Sequence, residues 1–180
     1  MRIIAGIAKG RRLLTPRGGG TRPMMDRARE GLFSSLGEAV AGTRVLDLYA
    51  GSGSLGLEAL SRGAAAAVFV ERGRAALTAL RANVTAVGLG GEVVAADVDA
   101  YLDWAAGPFG LAFVDPPYAL PLASVEHALS RLARLLAAGG TVVLHRRAGE
   151  GLGLLPGLTV IDRRRYGDTE ITRLVKEEAP

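Results

Sequence analysis

Arg44-Val-Leu-Asp-Leu-Tyr-Ala-Gly-Ser-Gly-Ser-Leu-Gly-Leu-Glu58 is the stretch whose reading decides the fold. Val45, Leu46 and Leu48 read as a buried strand, Gly51, Gly53 and Gly56 follow it, and Leu55 to Leu60 continue at helical spacing. Glycines belong in such a turn because the backbone must bend sharply and admit a ligand where a Cβ would clash. The stretch therefore predicts a loop for a nucleotide-like cofactor, with Asp47, Leu48, Tyr49, Ala50, Gly51, Ser52 and Gly53 around it. It does not say what is done with that cofactor.

Downstream the alternation of strand and helix continues. Ala67–Glu71 is a second strand ending in an acid, and Arg74 to Val87 a helix with Leu77, Leu80 and Val84 on one face, stopped near Gly88. Glu92–Asp97 is a third strand, again ending in an acid, followed by a short helix bearing Tyr101 and Trp104, with Trp104 expected to pack rather than to offer a stacking platform. Leu111–Asp115 is a fourth strand that runs into Pro116-Pro117-Tyr118, and a helix is expected from about Ala123 to Leu136, ended by Gly139-Gly140. Thr141–Leu144 is a fifth strand. Leu158–Arg164 and Glu170–Val175 are strand-like runs joined by Tyr166-Gly167-Asp168-Thr169, a hairpin signal. Alternating β and α elements with apolar strands imply a parallel sheet covered on both faces. The expectation is a doubly wound α/β domain with a mostly parallel seven-stranded sheet and a C-terminal antiparallel hairpin.

Upstream the chain has a different character. Arg2, Lys9, Arg11, Arg12, Arg17 and Arg22 precede the first acid, Asp26. Ile3, Ile4 and Ile7, a Lys9-Gly10 turn, then Leu13 and Leu14 suggest a basic β-hairpin, and Thr15–Pro23 is too rich in glycine and proline for regular structure. Residues 1–25 are thus expected to form a basic arm that tracks phosphate, and residues 26–180 the α/β domain. Asp26 starts a helix to Leu36 with Ala28, Leu32, Phe33 and Leu36 as its apolar stripe, leaving Arg27 and Arg29 as further candidates to face nucleic acid.

Composition narrows the class. The 180 residues, 49% hydrophobic and 22% charged, fit one globular domain. The net charge of +4 is carried almost wholly by arginine, whose planar fork suits phosphate. With no cysteine there is no disulfide, thiolate metal site or cysteine nucleophile, and a cytoplasmic location is expected. His127 and His145 have no paired ligand spacing, so no metal is expected; His145 reads as a surface or RNA-adjacent residue. The N-terminus does not read as a signal peptide and no apolar run is long enough to cross a bilayer. Nothing indicates self-association, and a monomer is expected.

In open α/β sheets ligands bind beyond the carboxyl ends of the strands, where strand order reverses. The Asp47–Gly53 loop, Glu71, Asp97 and Asp115 all fall at such ends. Glu71 is placed to accept hydrogen bonds from ribose hydroxyls, and Asp97 with Val98 to hold an adenine. On those features alone a dehydrogenase and an S-adenosylmethionine enzyme both remain open. Asp115-Pro116-Pro117-Tyr118 separates them. Two prolines fix an extended turn and remove two donors, so the carboxylate and carbonyls become outward acceptors beside an aromatic face. That set suits an exocyclic amine on a planar base, with Tyr118 stacking on the ring.

With these residues the chain resembles the RsmD type of bacterial small-subunit ribosomal RNA methyltransferase. The likeness is carried by Leu46–Gly63 and Asp115–Tyr118, and by Arg2-Ile-Ile-Ala-Gly6, Lys9-Gly10-Arg11, Arg22-Pro23, Asp26–Glu30 and Tyr166–Thr169. Met24-Met25 stands where the family usually has threonines, and Tyr49 where phenylalanine is commoner. The resemblance implies a Rossmann-like class I methyltransferase fold, S-adenosyl-L-methionine as cofactor, and methylation of the N2 amine of guanine 966 in 16S rRNA. The partner it implies is 16S rRNA, the small subunit or an assembly intermediate. Two other readings stay open here: a DNA amino-methyltransferase, and a non-catalytic RNA-binding assembly factor with the same fold.

Overall fold

The computed structural model describes residues 1–16 and 26–177. Its centre is the opening stretch. Arg44–Leu48 forms strand β1, with every residue after Arg44 buried, and Ser54–Ser61 forms helix α2, which follows helix α1 at Asp26–Leu36. Ala66–Glu71 is β2, Arg74–Val87 α3, Glu92–Ala95 β3, Val98–Trp104 α4 and Phe109–Val114 β4. Leu122–Leu132 is α5, and Leu136–Arg147, Leu158–Tyr166 and Thr169–Lys176 are β5, β6 and β7. The strands make one seven-stranded sheet of order β3-β2-β1-β4-β5-β7-β6. The first five strands are parallel, and β7 pairs antiparallel with both β5 and β6.

The strand order reverses between β1 and β4, which opens a crevice beyond their carboxyl ends. One hydrophobic layer packs α1, α2 and α3 on the sheet through Leu32, Phe33, Leu57, Leu80 and Phe69; the other packs α4 and α5 through Leu102, Val125, Leu129, Leu46 and Val114. Among the described residues no helix is long and apolar enough to cross a membrane.

Three expectations change. The helix before β5 stops at Leu132 and passes through a 3-10 turn, so Gly139-Gly140 does not end it but lies within β5. Leu136 pairs with Phe109 and Thr141 with Leu111, leaving an irregularity that the glycines fill; Gly139 has φ +67°, and a Cβ on Gly140 would stand 2.8 Å from the Ala137 carbonyl. The basic arm is not a β-hairpin among its described residues. It has one antiparallel bridge, Arg2 to Arg12, with Ile3 N–H bonded to Arg11 O and Leu13 N–H to Met1 O. The reason is tertiary: Ile3, Ala8 and Leu13 sink into the α1–α2 layer, and the Ile4 and Ala5 amides bond to the Glu58 carboxylate instead of a strand. Last, Trp104 is not a packed residue. It is 64% exposed and meets only the edge of Tyr101 among aromatic neighbours. Residues 17–25, which take in most of the loop predicted over residues 15–23 and include Arg17, Arg22 and Met24-Met25, lie outside the described residues.

Candidate active site

A cavity of about 440 Å³ occupies the crevice. Of the residues expected at a cofactor, Tyr49, Gly51, Glu71, Asp97 and Val98 line it, and Asp115 and Pro117 border it on the β4 side. Asp47, Leu48, Ala50, Ser52 and Gly53 do not line it; they are buried behind the turn and shape it. Asp47 is 1% exposed and accepts the Gly56 N–H at 2.9 Å, tying β1 to the start of α2. Burial raises its pKa well above the usual carboxylate value, the charges of Asp115 and Glu71 add to this, and the Gly56 bond opposes it.

The turn itself needs its glycines: Gly51 has φ +57°, and a Cβ on Gly56 would stand 2.3 Å from Phe69 Cε1. Gly53, at φ +80°, would place a Cβ 2.5 Å from Leu80 Cδ1, so both conformation and space require glycine there. Tyr49 sits at φ +58°, a left-handed conformation that costs a residue with a Cβ about 1–2 kcal/mol. Its phenol, pushed up to about 12 by burial and by Asp99 and Asp97, stays neutral at the cavity wall.

Glu71 organises the other wall. One oxygen accepts the Gly51 N–H at 2.9 Å, and the other accepts the N–H groups of Arg72 at 2.8 Å and Gly73 at 2.6 Å. The carboxylate therefore clamps the glycine turn to the end of β2 while bordering the cavity. Asp97 caps α4 by accepting the Asp99 N–H at 2.9 Å, and its other oxygen receives Arg72 Nη1 at 2.8 Å. That ion pair is exposed and contributes little stability. Its place beside the cavity was not foreseen, although Arg72 follows directly on Glu71 in the chain.

Across the crevice Pro116 is buried, Tyr118 is half-buried, and the Arg147 guanidinium lies 5.4 Å from the Tyr118 ring centre. His145 is 3% exposed, with Nδ1 2.8 Å from Asp115 Oδ1, which corrects the expectation of a surface histidine. It sits at the end of β5 beside β4, so its strand position brings it under the acid. Arg146, also buried, donates to the carbonyls of Pro117 and Leu120. Neither residue stood out in the sequence, because His145-Arg146-Arg147 resembles an ordinary solvated run.

The expected nucleic-acid side divides as well. Arg2, Lys9, Arg11, Arg12 and Arg27 are exposed, with Arg11 bonded to Ala86 O. Arg29 is corrected: it is fully buried, and its Nη2 donates to Arg2 O at 2.5 Å and Asp26 Oδ1 at 2.9 Å. Burial draws its pKa below the usual arginine value. One turn from Asp26 on the same helix, it fastens the arm to α1 instead of facing a ligand. Asn83 does similar work on α3. It bonds Leu14 through both N–H and C=O and also holds Ser52 O, joining the arm to the glycine turn, and Pro16 lies at the cavity. Asn83→Ala is expected to cost about 2–3 kcal/mol in urea unfolding, since three hydrogen bonds are lost in a buried place.

The family model described as conserved hypothetical protein 95 matches residues 1–175. Ribosomal RNA small subunit methyltransferase D of Escherichia coli K12 is 34% identical over 180 residues, covering 99% of this chain and 91% of that protein. The solved structure of yhhF from Escherichia coli has a TM-score of 0.88 at 33% identity, over 98% of each chain. A hypothetical protein of Thermus thermophilus has a TM-score of 0.82 at 40% identity, over 98% of this chain and 99% of that one. On a match that runs through the arm, the glycine turn and the Asp115 loop alike, the chain belongs to the family of the ribosomal RNA small subunit methyltransferases D.

Proposed function

We propose that the chain moves a methyl group from S-adenosylmethionine to the exocyclic N2 of a guanine in 16S rRNA. The observation that carries this reading is the meeting, in one cavity, of the cofactor wall with the acceptor loop: Gly51, Glu71 and Asp97 on one side and Asp115 on the other. The donor set fits the cofactor. Carboxylates at the ends of β2 and β3 suit hydroxyl and amine donors, and Val98 offers an apolar contact for a base. Glu71 would hold the ribose, Asp97 and Val98 the adenine, and Tyr49 and Gly51 the methionine end. When bound, S-adenosylmethionine supplies an electrophilic methyl on a sulfonium.

The residues of the chain act on the amine. Its lone pair is delocalised into the guanine ring, so it is a weak nucleophile. Asp115 and the Pro116 carbonyl accept its N–H groups and favour the nitrogen geometry in which the lone pair is free, and Tyr118 stacks on the ring. With Tyr49 and Gly51 holding the methionine end, that sulfonium would supply the methyl and retain the electron pair of its carbon–sulfur bond. The nitrogen becomes cationic and gives up a proton, which Asp115 takes. Extracting the base from its stack costs a few kcal/mol, offset by Tyr118 and by phosphate contacts of Arg2, Lys9, Arg11, Arg12 and Arg27.

The test is transfer of tritiated methyl to 16S rRNA, small-subunit particles and duplex DNA, with mass mapping of the labelled base. Label on one guanine N2 of the rRNA is expected. Label on DNA would replace this reading by an amino-methyltransferase of DNA, and failure to bind S-adenosylmethionine would replace it by a binding module.

A further inference from the structure

The acceptor loop has few amides of its own to hold it: the Leu120 N–H closes the turn on Pro117 O at 2.9 Å. Pro116 and Pro117 have no N–H, and the Asp115 N–H reaches Leu48 O only at 3.4 Å, long for a hydrogen bond. What remains to grip is the Asp115 carboxylate and the loop carbonyls. Two consecutive residues of β5 take both.

His145 puts Nδ1 2.8 Å from Asp115 Oδ1, and its ring stands edge-on to Tyr118 with centres 6.2 Å apart. An ionised carboxylate has no proton to give, so the ring nitrogen donates. One carboxylate oxygen is thereby fixed and the other is left for the base. Arg146 donates through Nη1 to Pro117 O at 3.0 Å and through Nη2 to Leu120 O at 3.1 Å, and Glu150 holds its Nε at 2.7 Å. Successive strand residues point to opposite faces, so the loop is gripped from both sides of the sheet. A planar fork suits the two carbonyls as a point charge does not.

We infer that His145 and Arg146 are positioning residues for methyl transfer, locking Asp115–Tyr118 in the geometry that receives the amine. The inference rests on the acceptor role of that loop. It concerns neither the cofactor nor the RNA surface, so its signature is a loss in kcat with the cofactor KM unchanged.

The experiment compares His145→Leu, His145→Asn and Arg146→Lys in the full chain. It reads kcat and the KM values for S-adenosylmethionine and 16S rRNA and, without RNA, the fluorine resonance of Tyr118 in fluorotyrosine-labelled protein. His145→Leu is expected to lower kcat about 10–100-fold, the size of a lost hydrogen bond to a charged group, and to broaden the Tyr118 line. His145→Asn keeps a donor near the place of Nδ1 and is expected to recover kcat to within about fivefold of wild type, with a sharp line. Arg146→Lys is expected to fall about 10-fold. Equal loss in His145→Leu and His145→Asn overturns the lock, since packing alone would then explain the histidine. So does wild-type kcat in all three. If wild type transfers no methyl to rRNA while the Tyr118 line still responds as described, the lock stands and the rRNA reading falls.

Discussion

Asp115→Ala is expected to lower methyl transfer to rRNA by about 10²–10⁴-fold, the range for loss of a positioned proton acceptor. Cofactor affinity, read by titration calorimetry, should stay within about threefold, because Asp115 borders the cavity while Glu71, Asp97 and Val98 form the opposite wall. Two results would count against the assignment: transfer unchanged, or loss of cofactor binding equal to the loss of rate. Asp115→Asn sharpens the test. Its amide keeps an oxygen that accepts an N–H but cannot take a proton, so it should fall between wild type and alanine. The same substitution weakens what His145 Nδ1 holds, and a double variant with His145→Leu should show less than additive loss if the two act as one unit.

The strand–turn–helix at Arg44–Ser61 was legible because its physics is local: apolar strand residues, glycines at the bend, helical spacing after it. Glu71, Asp97 and Asp115 were equally legible at strand ends, and a parallel sheet brings such ends to one edge by construction. What escaped the sequence depends on contacts distant along the chain. Glu58 reads as one polar residue on an apolar helix until the arm arrives 53 and 54 residues away to use it. Arg29 reads as solvent-facing until the Arg2 carbonyl closes over it.

His145 and Arg146 illustrate the same limit at the site. Their period-two alternation with Val142 and Leu144 was present, and it placed the two side chains on opposite faces of β5. Nothing in the sequence said that β5 would lie beside β4 in the register that sets Leu144 against Val114, which brings the next residue of each strand together as His145 and Asp115. Likewise, the glycine turn is not wholly ligand-facing as its motif suggests. A sharp turn on a buried strand must spend some residues on its own closure, and Asp47, Ala50, Ser52 and Gly53 serve that purpose here.

The largest loss of stability is expected at Glu58→Ala. The carboxylate is wholly buried on α2 and accepts three bonds: from Ile4 N–H at 2.7 Å, Ala5 N–H at 3.0 Å and Arg62 Nε at 2.8 Å. Removing it strips two backbone donors and a guanidinium of their partner at once, and the loss is expected to be about 3–5 kcal/mol in denaturant unfolding. The effect should be global, because Ile3, Ala8 and Leu13 of the arm belong to the same apolar layer as Leu32, Phe33 and Leu57. Glu58→Gln retains one acceptor oxygen and the side-chain volume, and should recover about half of the loss. Function should follow through position: Arg2, Lys9, Arg11 and Arg12 ride on the arm that Glu58 fastens. At a temperature where the variant stays folded, the KM for rRNA should rise more than the KM for S-adenosylmethionine. An unfolding free energy within about 0.5 kcal/mol of wild type, the scatter of ordinary surface substitutions, would show that the arm is held by its apolar residues alone.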